Sequence, residues 1–254
     1  SVSLNNGAND ENMLVATQDG SVDLYHNHVQ TFETTATGIR LENNVSNSTV
    51  AQLNLSGSSN ATQDNFILFG DNATSLPIAM GFDNSANLFK IARNSNDNLD
   101  SGIHVQMTSA GEITMPLQPA FQAKPSTDQN DIAEGSDVTV VFGTEVFDQN
   151  SDFASNTFTA PVTGKYQLNA SIRIEEVDTA PAYYQFKIIT SNRTYSGTYD
   201  TGGFSADPAY YSFSHSALAD MDAGDTAYVA IHQHSAGTAQ TDVDPETTFS
   251  GYLA

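Results

Sequence analysis

Tyr166, Leu168, Ala170, Ile172 and Ile174 fall on every second residue, with mostly polar residues between them. A period of two marks a strand buried on one face. No segment upstream offers a convincing 3.6-residue period, so an all-β fold is the expectation. Just before this run, aromatics recur at Phe147, Phe153, Phe158 and Tyr166. Between the last two, Ala160-Pro161-Val162-Thr163-Gly164 reads as a tight turn, with Pro161 fixing φ and Gly164 supplying a positive φ.

The chain's 254 residues suffice for one large or two modest domains. Eight Lys and Arg stand against 30 Asp and Glu, a formal charge of −22. Such a surface repels phosphate backbones and anionic lipid heads, which argues against nucleic acid and membrane partners. Salt screens such charges beyond about 10 Å, so solubility in a saline medium accounts for the excess. There is no cysteine, which removes disulfides, thiolate metal sites and a Cys nucleophile together. The longest apolar run, Phe66-Ile67-Leu68-Phe69, is too short to span a bilayer as a helix. The chain opens Ser1-Val2-Ser3 without an initiator Met, and reads as a fragment of a longer polypeptide.

Three further segments fit the passage from Phe147 to Tyr166. They are Pro119-Ala120-Phe121-Gln122-Ala123, the turn and strand from Leu218 through Gly224-Asp225 to Ala230, and the closing Phe249-Ser250-Gly251-Tyr252-Leu253. In this order the four segments resemble the C1q-like domain. The resemblance implies a ten-stranded jelly roll over 119–254 that usually assembles as a homotrimer. Its fold-motif core would be Phe147, Phe153, Phe158, Gly164, Tyr166, Gly224, Phe249 and Gly251.

Residues 1–118 are rich in Asn, Ser, Thr and Gly, with short period-2 alternations. Gly20 to Tyr25 alternates, His26-Asn27-His28 reads as a polar turn, and Val29 to Thr35 pairs back. Gly also precedes short strands at Gly38-Ile39-Arg40-Leu41, Gly102 to Met107 and Gly111 to Met115. Strands this short and polar do not bury enough surface to hold a monomer together, whereas three intertwined chains would cover each thin apolar face. The Asp19-to-Ile39 segment, with Phe32-Glu33-Thr34-Thr35, resembles the shaft repeats of bacteriophage tail fibres. So do Ile78 to Ile91 and Ser109 to Pro116. Pro116, Pro119 and Pro125 mark a stiff connector.

Several constellations are candidates for chemistry. His232 and His234 lie two apart and face the same side as Tyr228 and Ala230. On a threefold axis they would offer six imidazoles to a divalent transition metal. In the C1q-like pattern this strand belongs to the outer sheet, which favours a solvated strand end. Carboxylates gather as Asp128, Asp131, Glu134 and Asp137, as Asp220, Asp222 and Asp225, and as Asp242, Asp244 and Glu246. Ca²⁺ is the ion they suit, and the resemblance implies Ca²⁺ in some heads, yet no run matches a strict Ca²⁺ loop. The Gly- and Tyr-rich stretch with Tyr195, Tyr199, Asp200 and Phe204 is the candidate receptor-binding loop, suited to stacking on a sugar ring. Its structural alternative is a hairpin whose tyrosines pack on their neighbours.

No nucleophile-elbow, zinc-protease, P-loop or dinucleotide motif occurs, so a binding protein is expected rather than an enzyme. The two resemblances together imply the distal part of a phage tail fibre: a virion protein, extracellular, whose homotrimeric head attaches to a host cell-surface receptor, a glycan or outer-surface protein. A secreted or surface C1q-like binding protein of a bacterium and a polysaccharide-cleaving tailspike are the alternatives.

Overall fold

The computed structural model describes residues 1–8, 10–41, 64–70, 78–93 and 99–254, and these are all-β, with no helix among them. The chain divides into two compact units. One runs from Ser1 to Ile67 and includes Asn84–Ala86; the other holds Leu68–Asp83 and Asn87–Ala254.

An antiparallel meander of β1 (Val2–Asn5), β2 (Asn12–Ala16), β3 (Val22–His26), β4 (Val29–Thr35) and β5 (Gly38–Leu41) forms the first sheet, in chain order. The β3–β4 turn sits where the sequence places it. Asn27 and His28 hold φ of 51° and 65°, the paired positive values of a two-residue hairpin turn. A second sheet follows the order β10-β9-β8-β7-β6, built from β6 (Asn65–Phe69), β7 (Ile78–Asp83), β8 (Leu88–Arg93), β9 (Ile103–Met107) and β10 (Ile113–Thr114). One of its faces is covered: Ala79, Ala92 and Leu99 are buried there beside an ion pair of Lys90 with Asp83, and Lys90 also donates to the Leu99 carbonyl (3.0 Å).

The C-terminal sandwich packs two sheets. The strands of one, in space, are β13 (Thr144–Asp148), β11 (Ala120–Lys124), β22 (Thr248–Leu253), β16 (Gly164–Glu175) and β19 (Tyr210–Met221), with β21 (Asp242–Val243) also on β16. The other runs β14 (Phe153–Ala154), β15 (Thr157–Thr159), β20 (Thr226–Gln233), β17 (Tyr184–Thr190) and β18 (Thr194–Tyr199), with β12 (Asp137–Thr139) also on β20. The strict alternation of β16 buries Tyr166, Leu168, Ala170, Ile172 and Ile174 against Tyr184, Phe186 and Ile188 of β17. Phe121 is central. Its ring stacks on Phe153 (5.0 Å) and Phe158 (4.7 Å) and meets Phe249 edge-on (5.0 Å).

Separately read motifs meet here. The Gly224 amide donates to the Ala160 carbonyl (2.7 Å) and the Ala160 amide to that of Asp225 (2.8 Å), joining the Pro161 turn to the Gly-Asp turn. Gly224 holds φ of +92°, a conformation disfavoured for side chains with a Cβ.

Two expectations are corrected. Gly164 is not in the left-handed region; it opens β16, and a Cβ there would lie 2.5 Å from Leu253 Cδ1, the end of a side chain that would have to turn aside. Phe147 is not core within one chain but 51% exposed. It lies on the sheet-edge strand β13 opposite Gln122, on the face turned away from the sandwich interior.

Truncating the central ring tests this packing. Phe121→Ala is expected to cost about 3–5 kcal/mol. Gly251→Ala, whose Cβ would press on Leu168 and Phe121 at 2.7 and 2.8 Å, is expected to cost about 1–3 kcal/mol. Chemical denaturation followed by circular dichroism measures both.

Candidate binding surface

At one side of the sandwich, aromatic rings run from the core to the solvent. Phe186 stacks on Phe213 (4.2 Å), Phe213 meets Tyr199 (4.3 Å) and Tyr211 (4.7 Å), and Tyr211 meets Phe204 edge-on (5.2 Å). Alternation sets the direction of each ring. In β18, Tyr195, Gly197 and Tyr199 lie inward, and Gly197 leaves room for the Tyr199 ring, whose atoms approach its missing Cβ to 3.0 Å.

Tyr195 and Tyr199 therefore pack against the core. The hairpin alternative describes these two, and their rings are not free to cover a sugar. Asp200 Oδ1 accepts the Gly202 amide (2.8 Å) and shapes the turn. Phe204 remains exposed beside Tyr211, and Tyr210 is exposed with the Arg173 guanidinium 4.6 Å over its ring. The solvent-facing set is thus Phe204, Tyr210 and Tyr211, of which the sequence reading assigned only Phe204 to binding. Tyr210 and Tyr211 carry no spacing signal in the sequence that sets them apart from other strand aromatics.

His232 and His234 lie on the outer face of the second head sheet, as the alternation predicts. Their ring centroids are 6.5 Å apart, and Tyr183 tilts against His234 (4.4 Å). His232 Nδ1 lies 2.9 Å from Asp137 Oδ1, and Lys187 Nζ lies 2.6 Å from that same oxygen. An ammonium sharing the carboxylate beside the imidazole is a poor setting for a divalent cation. Burial opposes the Asp137 charge, but hydrogen bonds and charge from Lys187 and His232 outweigh it and hold the carboxyl below its ordinary range.

The acidic residues divide differently from their sequence clusters. Asp220 pairs with Lys165, and Asp225 Oδ2 accepts the Asp222 amide (2.8 Å). Asp242 Oδ1 accepts the Asp131 amide (2.7 Å), Asp244 Oδ1 accepts that of Glu246 (2.6 Å), and Arg173 lies 3.4 Å from Asp244. Glu175, which no spacing rule pointed to, titrates above the ordinary range through burial and the charges of Asp128, Asp244 and Asp242. Among the described residues, none of these head carboxylates belongs to a group of three whose ligand atoms lie within 4.8 Å of one another.

Asp137 sets a pH dependence. Its folded-state pKa is depressed, so its contribution is present above the unfolded value, about 3.9, and is lost as pH falls through the lower folded value. Asp137→Asn is expected to lower Tm at pH 7, and the deficit closes as the melting series is taken into that acid range.

Residues 120–254, more than half the chain, match the family model described as C1q domain. Among solved structures, the globular domain of zebrafish complement 1qA protein is 19% identical, covering 54% of this chain and 97% of its own, with a TM-score of 0.39. Murine APRIL at pH 8.0 is 14% identical, covering 54% and 99%, with a TM-score of 0.40. No curated protein matches. From the ordered motifs, the two five-stranded paths of the sandwich and the family match, the chain belongs to the C1q domain family.

Proposed function

We propose that this chain is the distal part of a bacteriophage tail fibre, an extracellular virion protein that binds a host-surface receptor as a homotrimer. The observation that carries the reading is the outward face of the β13-β11-β22-β16-β19 sheet. Register places Phe147, Gln122, Ser250, Asn169 and Ser216 in one row across it, and Ala120, Tyr252, Gln167 and Leu218 in the next. Neither row carries a charge, in a chain of net charge −22. Phe147, Leu218 and Tyr252 are exposed there. Two adjoining rows without charge and with large apolar side chains, bordered by the Lys165–Asp220 pair, are suited to a partner of the same kind.

The short-strand hairpin region that precedes the C1q domain in sequence supports the fibre reading, through its resemblance to tail-fibre shaft repeats. The work done is adhesion and not catalysis. Three copies of the Phe204–Tyr211 edge on one head engage a repetitive surface, and avidity exceeds single-site affinity by roughly 10²–10⁴.

Labelled protein screened over bacterial cells and surface glycans is expected to bind a subset of them. Phe204→Ala combined with Tyr211→Ala is expected to weaken that binding at least tenfold while the assembly keeps its mass. Shortened polysaccharide chains after incubation would establish cleavage in place of adhesion. Loss of assembly in the double variant would make the aromatic edge a contact between copies.

A further inference from the structure

Cross-strand register in the first N-terminal sheet lines up Leu4, Leu14, Leu24, Phe32 and Leu41, one from each strand. Two residues along, Val2, Ala16 and Val22 continue the same face, as do Thr34 and Ile39, and the Val22 amide donates to Thr34 Oγ1 (2.8 Å). Side chains two apart share a face. The intervening Ser3, Val15, Asp23, Glu33 and Arg40 take the other, where Arg40 pairs with Glu33 at 3.4 Å. Nine of the ten residues on the first face are apolar and none is charged. Within one chain Val2, Leu4, Val22, Leu24, Ile39 and Leu41 stay 37–69% exposed.

The second sheet repeats the arrangement independently. Phe82, Phe89, Met107 and Ile113 form one row, and Met80, Ile91 and Val105 the next. Phe82, Met107 and Ile113 are exposed, whereas the opposite face holds the buried Ala79, Ala92 and Lys90. Among the described residues, each sheet therefore leaves an apolar face open.

We propose that both faces are covered by the same faces of two further copies of this chain, so that three copies close each sheet layer around an apolar axis. The threefold count rests on the trimeric reading of the head, because sheets and head share one chain and a closed assembly has one symmetry. Area favours the assignment. Five strands about 4.8 Å apart and two rows about 7 Å apart make a face of about 350 Å² per copy. Each copy then buries about 350 Å² at one sheet and about 700 Å² at both, shared between its two neighbours, near the roughly 800 Å² per partner of a standard interface. Charge favours it too. Copies this acidic repel one another wherever carboxylates meet, and on these faces no charge needs to be desolvated.

The cysteine-free sequence makes the test direct, since an introduced cysteine is the only thiol. Full-length Leu24→Cys, Ile39→Cys and Met107→Cys are treated with a thiol-to-thiol crosslinker about 10 Å long, the spacing of packed sheets. Ser3→Cys, on the opposite face, and Leu218→Cys, on the head, are treated alongside. On denaturing gels the three face variants and Leu218→Cys are expected to yield covalently joined chains at least tenfold above Ser3→Cys. Linking by Leu218→Cys without linking by the face variants would leave the head reading standing and overturn this one, giving the faces another occupant. Linking by none would overturn both.

Discussion

Phe121 stands between the two sheets of the head with the rings of Phe153, Phe158 and Phe249 around it. Those four rings come from β11, β14, β15 and β22, so one apolar contact joins the first strand of the domain to its last and to the opposing sheet. Burial of this kind is worth about 25 cal/mol per Å² of apolar surface, and dense packing around Gly251 leaves little room for substitution there. Once the rings fix the sandwich, the outward residues of each strand are fixed as well. The two uncharged rows on the β13-to-β19 sheet and the aromatic edge beside β18 are consequences of that packing.

Much of the head was legible because a period of two needs no distant information. Tyr166 to Ile174 declare their buried side from spacing alone, and the structure buries them so. The failures are of a different physical kind. Phe147 continues an aromatic series in sequence, but its strand lies at a sheet edge, and spacing does not tell edge from centre. Gly164 reads from its turn as a positive-φ glycine, but it opens β16 outside that region, with the Leu253 side chain, 89 residues away, as its near neighbour. Glu175 joins Asp128, Asp242 and Asp244 only through folding, so no local run of carboxylates marked it. Tyr195 and Tyr199 had two readings open, and only the position of β18 over the core decides between them.

The two parts of the chain answer the same requirement differently. A β-sheet with one apolar face needs a cover. In the head, each sheet covers the other within one chain. In the N-terminal sheets, the open rows through Leu24 and through Phe89 have no such cover among the described residues of one chain. Assembly of identical copies is the economical solution for a strongly acidic chain, because these rows and those of the head face are where charge is missing. The proposed threefold assembly would link the cover of the N-terminal sheets, the closure of the head and the repeated presentation of its aromatic edge.

Mass in solution bears on this account most directly. Sedimentation equilibrium of the intact chain at physiological salt should give three times 27.1 kDa, about 81 kDa, across a wide range of concentrations. A stable 27.1 kDa species over that range would contradict it.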